Sequence, residues 1–128
     1  MDERQPMYIV TGGRDYGDRA AAFARLDALP RPVLLMQGEC PTGADRWARE
    51  WCSERGVPCV GVHALWKADG RGAGPKRNGR MLWLAQTLAD RLLPDECRLE
   101  VVAFPGGDGT ADCVRQAEGR GIGVRDGR

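Results

Sequence analysis

The chain lacks most of the signals that would settle its chemistry at once. Its five cysteines fall at positions 40, 52, 59, 97 and 113, with no Cys-x-x-Cys among them. That spacing excludes an ordinary zinc site, and an odd count does not close a disulfide framework. The thiols are expected to be reduced and mostly packed. No metal and no cofactor are expected. Neither G-x-x-x-x-G-K-S/T nor G-x-G-x-x-G occurs, which excludes an ordinary P-loop ATPase and an ordinary dinucleotide dehydrogenase. No apolar run reaches the roughly 18 residues that cross a membrane. Residues 1–6 are polar and lack the apolar centre of a secretion signal. A soluble cytoplasmic protein is the expectation. A strong basic excess is missing too: the net charge is +1. Proteins that bind nucleic acid through its phosphates usually carry such an excess, so DNA and RNA are disfavoured as main partners, despite a basic stretch from Arg71 to Arg80.

What is present is a globular composition, 42% hydrophobic and 29% charged over 128 residues. That is enough for one domain with a core, and not for two ordinary ones. Short apolar runs at 7–11, 33–37, 58–64, 99–104 and 122–124 read as strands. Between them lie helical patterns. Asp18 caps the first, which runs to about Leu29. Ala44, Trp47, Ala48 and Trp51 form one face of the second, and Met81, Leu84, Ala85, Leu88 and Leu92 a stripe on the third. A short fourth ends near Glu118. Residues 65–76 read as a long Gly-rich loop. Near-continuous apolar strands alternating with helices imply a parallel sheet covered on both faces. The expected fold is α/β, a three-layer, Rossmann-like, doubly wound sheet of about five strands in the order 3-2-1-4-5. A single domain is expected over 1–128, with its core at about 7–125.

Such sheets bind ligands beyond the carboxyl ends of the strands, where the strand order reverses. Here that point lies between strands one and four. The turns after those strands are Thr11-Gly-Gly-Arg-Asp-Tyr16 and Pro105-Gly-Gly-Asp-Gly-Thr110, each a double-glycine turn opening onto a helix. Glycine lets backbone approach a ligand closely, and a helix N-terminus offers free N–H groups to a phosphate. Gly12, Gly13, Arg14, Gly106, Gly107, Gly109 and Thr110 are therefore candidate ligand contacts. Arg77, four residues before Met81, shares the buried stripe of its helix and is placed in the first turn, facing the crevice. A guanidinium suits phosphate or carboxylate; a solvated Arg is the plainer alternative. Asn78 is either a ligand contact or a helix cap. Thr42-x-x-Asp45 fits a capping box, so Asp45 is either structural or, with Gly43, a ligand contact. Trp66 either stacks on a base or ribose, or packs beneath its loop. Trp47, Trp51 and Trp83 are expected to pack. His63 has no carboxylate partner evident in sequence and reads as a structural histidine.

These residues resemble a family. Thr11–Tyr16, Gly43-Ala-Asp45, Ala73–Asn78 with Met81, and Ala103–Ala111 look like the YspA-like branch of the SLOG superfamily, common in bacteria and phages. The resemblance covers about residues 7–125 and implies the same Rossmann-like fold. The superfamily includes the Lonely Guy phosphoribohydrolases, which release a base from nucleoside 5′-monophosphates, and DprA, which binds single-stranded DNA. Other members are proposed sensors of nucleotide-derived signals. The hydrolase pattern is Pro-Gly-Gly-x-Gly-Thr-x-x-Glu, with an Arg four residues before a Met. Pro105, Gly106, Gly107, Gly109 and Thr110 match the first part, and Arg77 and Met81 the second. The position of the catalytic Glu is Cys113 here. A neighbouring Asp112 points about 100° away along a helix.

The resemblance therefore implies binding of a nucleoside monophosphate, ADP-ribose or NAD-like ligand, as a sensor or sequestering module. The alternatives are an N-glycosidase that uses Arg77 and Asp112 as catalytic residues, and single-stranded nucleic-acid binding. The habit of such relatives also implies a homodimer.

Overall fold

A computed structural model describes residues 3–92 and 94–128, and for Leu92 the backbone alone. The side chain of Leu92, the outer end of the third-helix stripe, and the first two residues thus lie outside the description. Five strands, β1 (Gln5–Thr11), β2 (Leu34–Gln37), β3 (Cys59–Gly61), β4 (Cys97–Ala103) and β5 (Gly123–Asp126), pair in the order β3-β2-β1-β4-β5. Every pairing is parallel. The helices are α1 (Arg19–Ala28), α2 (Gly43–Arg55), α3 (Trp66–Asp69), α4 (Ala73–Leu92) and α5 (Asp108–Gly119). The expected α/β architecture and strand order are found.

Strand residues alternate between the faces of the sheet, and the two cores follow that alternation. Tyr8, Val10, Leu35, Val102 and Phe104 pack with Phe23 and Leu26 of α1 and Ala48 and Trp51 of α2. Met7, Ile9, Met36 and Val101 pack with Met81, Leu82 and Ala85 of α4 and Cys113 and Ala117 of α5. The central strands are therefore buried on both sides, which is why they read as unbroken apolar runs.

Three expectations change. Residues 65–76 are not a loop: α3, a 3-10 turn at Gly70–Gly72 and the start of α4 occupy them. Gly74 and Pro75 lie in the first turn of α4, where a proline's missing N–H would have had no helical partner anyway. Arg77 consequently sits in the second turn, and Asn78 is inside the helix rather than capping it. The Thr42–Asp45 capping box is not formed. Thr42 makes no cap bond; its hydroxyl donates to the Arg14 carbonyl at 2.8 Å. Trp83, expected to pack, is 59% exposed.

Candidate functional site

The turns after β1 and β4 meet. Gly13 N–H donates to the Pro105 carbonyl at 2.8 Å, and a Cβ on Gly13 would sit 3.1 Å from both Pro105 O and the Gly106 Cα. A Cβ on Gly106 would overlap the Thr110 hydroxyl. Beyond this junction opens a cleft of about 1010 Å³ at the carboxyl edge of the sheet. That is the size range of ordinary small-molecule sites.

Of the candidate residues, Gly12, Gly13, Arg14, Asp45, Trp66, Arg77, Asn78, Gly106, Gly107, Gly109 and Thr110 line the cleft. Their roles differ from a simple ligand cradle. Gly12 is small because a Cβ there would lie 2.5 Å from Ala44 Cβ. Gly43, with φ +71°, does not line the cleft; a side chain would overlap the Gly13 carbonyl. Ala44 N–H donates to that same carbonyl at 3.2 Å. The start of α2 therefore serves to clamp the Gly13 turn, which is why Gly43 has no room for a side chain. Around Gly107 and Gly109 space is open.

The floor of the cleft is a chain of polar contacts. Arg77 Nη1 donates to the Gly38 carbonyl and Nε donates to Asn78 Oδ1 at 2.9 Å. A Cβ on Gly38 would displace the guanidinium from this position. Asn78, 3% exposed, donates from Nδ2 to Gly109 O at 3.3 Å and to Asp112 Oδ2 at 3.0 Å. Asp112 also accepts from Gln116 Nε2 at 2.8 Å and is not among the residues lining the cleft. Its carboxylate holds Asn78, and through it Arg77. Cys113, at the position of the hydrolase glutamate, is fully buried, and that burial pushes its thiol up to about 11. Asp45, buried beside Arg77, accepts from the Cys40 N–H at 3.1 Å. Burial raises its pKa, against that hydrogen bond and the nearby Arg77 and Arg49.

Tyr16, Glu39 and His63 are among the lining residues that the sequence did not mark as ligand contacts. Tyr16 stacks on Phe104 at 5.5 Å, and its carbonyl accepts from the Trp47 indole at 2.7 Å. Glu39 follows the end of β2, and His63 Nε2 lies 3.7 Å from Glu39 Oε2. His63 is thus no packed structural histidine: its side chain is 74% exposed and has a carboxylate neighbour. No sequence spacing signals that pair, because it joins the ends of two adjacent parallel strands. Trp66 is 58% exposed on the cleft rim rather than packed beneath it. Of the thiols, Cys52, Cys97 and Cys113 are buried as expected, while Cys59 is exposed.

The fold and the cleft define a Rossmann-like domain whose site is made where two glycine turns clasp at the point of strand-order reversal. Residues 6–68 match the model of the YspA, cpYpsA-related SLOG family. That match supports assignment to the SLOG family and, with it, a nucleotide- or nucleic-acid-related role in general terms. The matched residues hold the Thr11–Tyr16 turn and Gly43–Asp45; Arg77 and the second glycine turn lie beyond them. No curated protein sequence matches the chain. Among solved structures, DNA processing protein A (DprA) from Streptococcus pneumoniae aligns with a TM-score of 0.54 at 15% identity, over 94% of this chain. The chain spans 58% of that protein's length, and the likeness is one of fold. Among the described residues, no helix is long and apolar enough to cross a membrane.

Proposed function

We propose that the cleft binds a nucleotide or nucleotide-derived ligand, such as a nucleoside monophosphate, ADP-ribose or an NAD-like molecule, as a sensing or sequestering module. The hydrogen bond from Gly13 to Pro105 carries this reading. It draws the two turns together, so that the first-turn amides of α5 and the Arg77 guanidinium border one cleft. Amides at a helix start and a guanidinium are both anion receptors. Arg77 spends Nη1 and Nε on Gly38 and Asn78, which leaves Nη2 for a phosphate oxygen. Exposed Trp66 and half-buried Tyr16 offer aromatic surface to a base.

A small ligand is favoured over single-stranded nucleic acid by the charge of the cleft. Asp15, Asp18, Glu39, Asp45 and Asp108 line it against Arg14 and Arg77, a balance that repels a long phosphate backbone. The N-glycosidase reading loses its acid/base group, because Asp112 is committed to Asn78 and Gln116.

Calorimetric titration with AMP, ADP-ribose and NAD tests the proposal. Binding of at least one, weakened about 10-fold or more in Arg77→Ala as expected for a charged hydrogen bond, is the expected result. Absence of heat with all three would overturn it.

A further inference from the structure

Glu39 is held in a conformation that glutamate does not choose. Its φ of 61° lies in the left-handed region that glycine enters freely and other L-residues avoid. Among the described residues, the only other non-glycine there is Asp95, which lies outside the cleft, in the turn before β4. Such a backbone persists only where its surroundings over-determine it, and these outliers concentrate at ligand clamps.

The surroundings of Glu39 do over-determine it. Gln37, wholly buried, grips it at both ends: Gln37 Oε1 accepts from Glu39 N–H at 2.6 Å, and Gln37 Nε2 donates to Glu39 Oε1. Arg49 stands 4.0 Å from Oε1 and donates to Gln37 Oε1 at 3.3 Å and to the Cys40 carbonyl at 2.8 Å. On β3, Gly61 makes the space, since a Cβ there would overlap the glutamate side chain. One carboxylate oxygen is thereby fixed from behind. The other, Oε2, has His63 as its neighbour at 3.7 Å, and the side chain keeps 25% of its surface exposed in the cleft.

A carboxylate with one oxygen anchored and one open is an acceptor for sugar hydroxyls. The carboxyl end of the strand next to the first glycine turn is where parallel nucleotide-binding sheets can present an acid to a ribose. Resting on the nucleotide reading above, we propose that Glu39 receives the ribose hydroxyls of the bound ligand. The cleft then selects ribonucleoside derivatives over their 2′-deoxy counterparts, and the strain at Glu39 is what aims the carboxylate at the sugar.

Two ligand pairs test this by calorimetry: AMP with 2′-deoxy-AMP, and ADP-ribose with 2′-deoxy-ADP-ribose. The expected result is a 2′-deoxy penalty of about 10-fold or more, as for a hydrogen bond to a charged group. That ratio should fall toward one in Glu39→Gln and in Glu39→Gly. The glycine variant suits the backbone, so misfolding does not cloud the comparison. Equal affinity for ribose and 2′-deoxyribose in the unaltered protein, or an undiminished ratio in both variants, would overturn the role of Glu39 alone. Failure of all four ligands to bind would overturn the nucleotide reading with it.

Discussion

The two walls of the cleft are built from different material. Over β1 and β4 the wall is backbone: Gly13 bonds to Pro105, Ala44 bonds to the Gly13 carbonyl, and Gly12, Gly43 and Gly106 leave no room for side chains. Over β2 and β3 the wall is side chain: Glu39, His63 and Trp66 face the cleft, and Gln37 and Arg49 hold the first of them. A wall of interlocked backbone fails through sterics, and its failure is felt by the whole fold. A wall of side chains can be edited while the fold survives. Mutations on the first should therefore act on stability, and mutations on the second on recognition.

The largest effect is expected at Gly43. An alanine there would have to adopt a φ of +71° and push against the Gly13 carbonyl. Gly43→Ala should lose about 2–4 kcal/mol of stability, the range for a clash added to a strained backbone. Gly107→Ala, where a Cβ meets nothing within 4 Å, should stay within about 0.5 kcal/mol. Urea midpoints decide between them. Equal losses at the two positions would erase the distinction between an interlocked and an open turn.

Asn78 comes next, because it ties the walls to the floor. Its side chain joins Arg77 to Gly109 and Asp112. Asn78→Ala strands those partners in a buried site, at about 1–3 kcal/mol. It should also loosen Arg77 and weaken ligand binding while leaving Arg77 itself in place. Stability lost with ligand affinity intact would show that Arg77 does not depend on this chain of contacts.

The contrast between the walls also explains what the sequence could disclose. Double glycines after two apolar runs are local text, and the strand order places them side by side; Gly12, Gly13 and Gly106 were legible for that reason, and Arg77 from its spacing to Met81 on a helical stripe. Gly43 was legible as a special position but not as a clamp, since its meaning depends on a carbonyl thirty residues earlier. Glu39 was not legible at all, and His63 was read only as a structural histidine. Nothing local marks a glutamate as left-handed, and its partners Gln37, Arg49 and Gly61 come from three different elements. The helical start at 66–76 was hidden by glycines and Pro75, which propensity assigns to a loop and which packing of Arg77 and Asn78 overrides.

A smaller effect, of opposite sign, should appear at Glu39. Glu39→Gly removes left-handed strain, a gain of about 1 kcal/mol, offset in part by lost contacts with Gln37 and Arg49. Asp95→Gly relieves the same kind of strain outside the cleft. Both variants should melt slightly higher, yet only the first should alter ribose selectivity. A drop in stability for Glu39→Gly would mean that the side-chain wall, like the backbone wall, supports the fold.

The smallest change leaves stability untouched and is read in chemistry. Two thiols lie in contrasting surroundings. Cys113 lies under the glycine wall, fully buried, its thiol pushed up to about 11 by that burial. Cys59 begins β3, exposed, where hydrogen bonds from Cys52 and Gln37 lower its thiol's pKa. A lowered pKa means thiolate at and above neutrality, and the thiolate is the nucleophile. Alkylation of Cys59 by iodoacetamide should therefore set in at lower pH than that of an ordinary thiol, whereas Cys113 should resist at every pH at which the protein stays folded. Peptide mapping after brief labelling distinguishes the sites, and Cys59→Ser should remove the fast phase. Labelling of Cys113 at a comparable rate would mean that the glycine wall opens readily to solvent, and the case for an interlocked backbone on that side would fail.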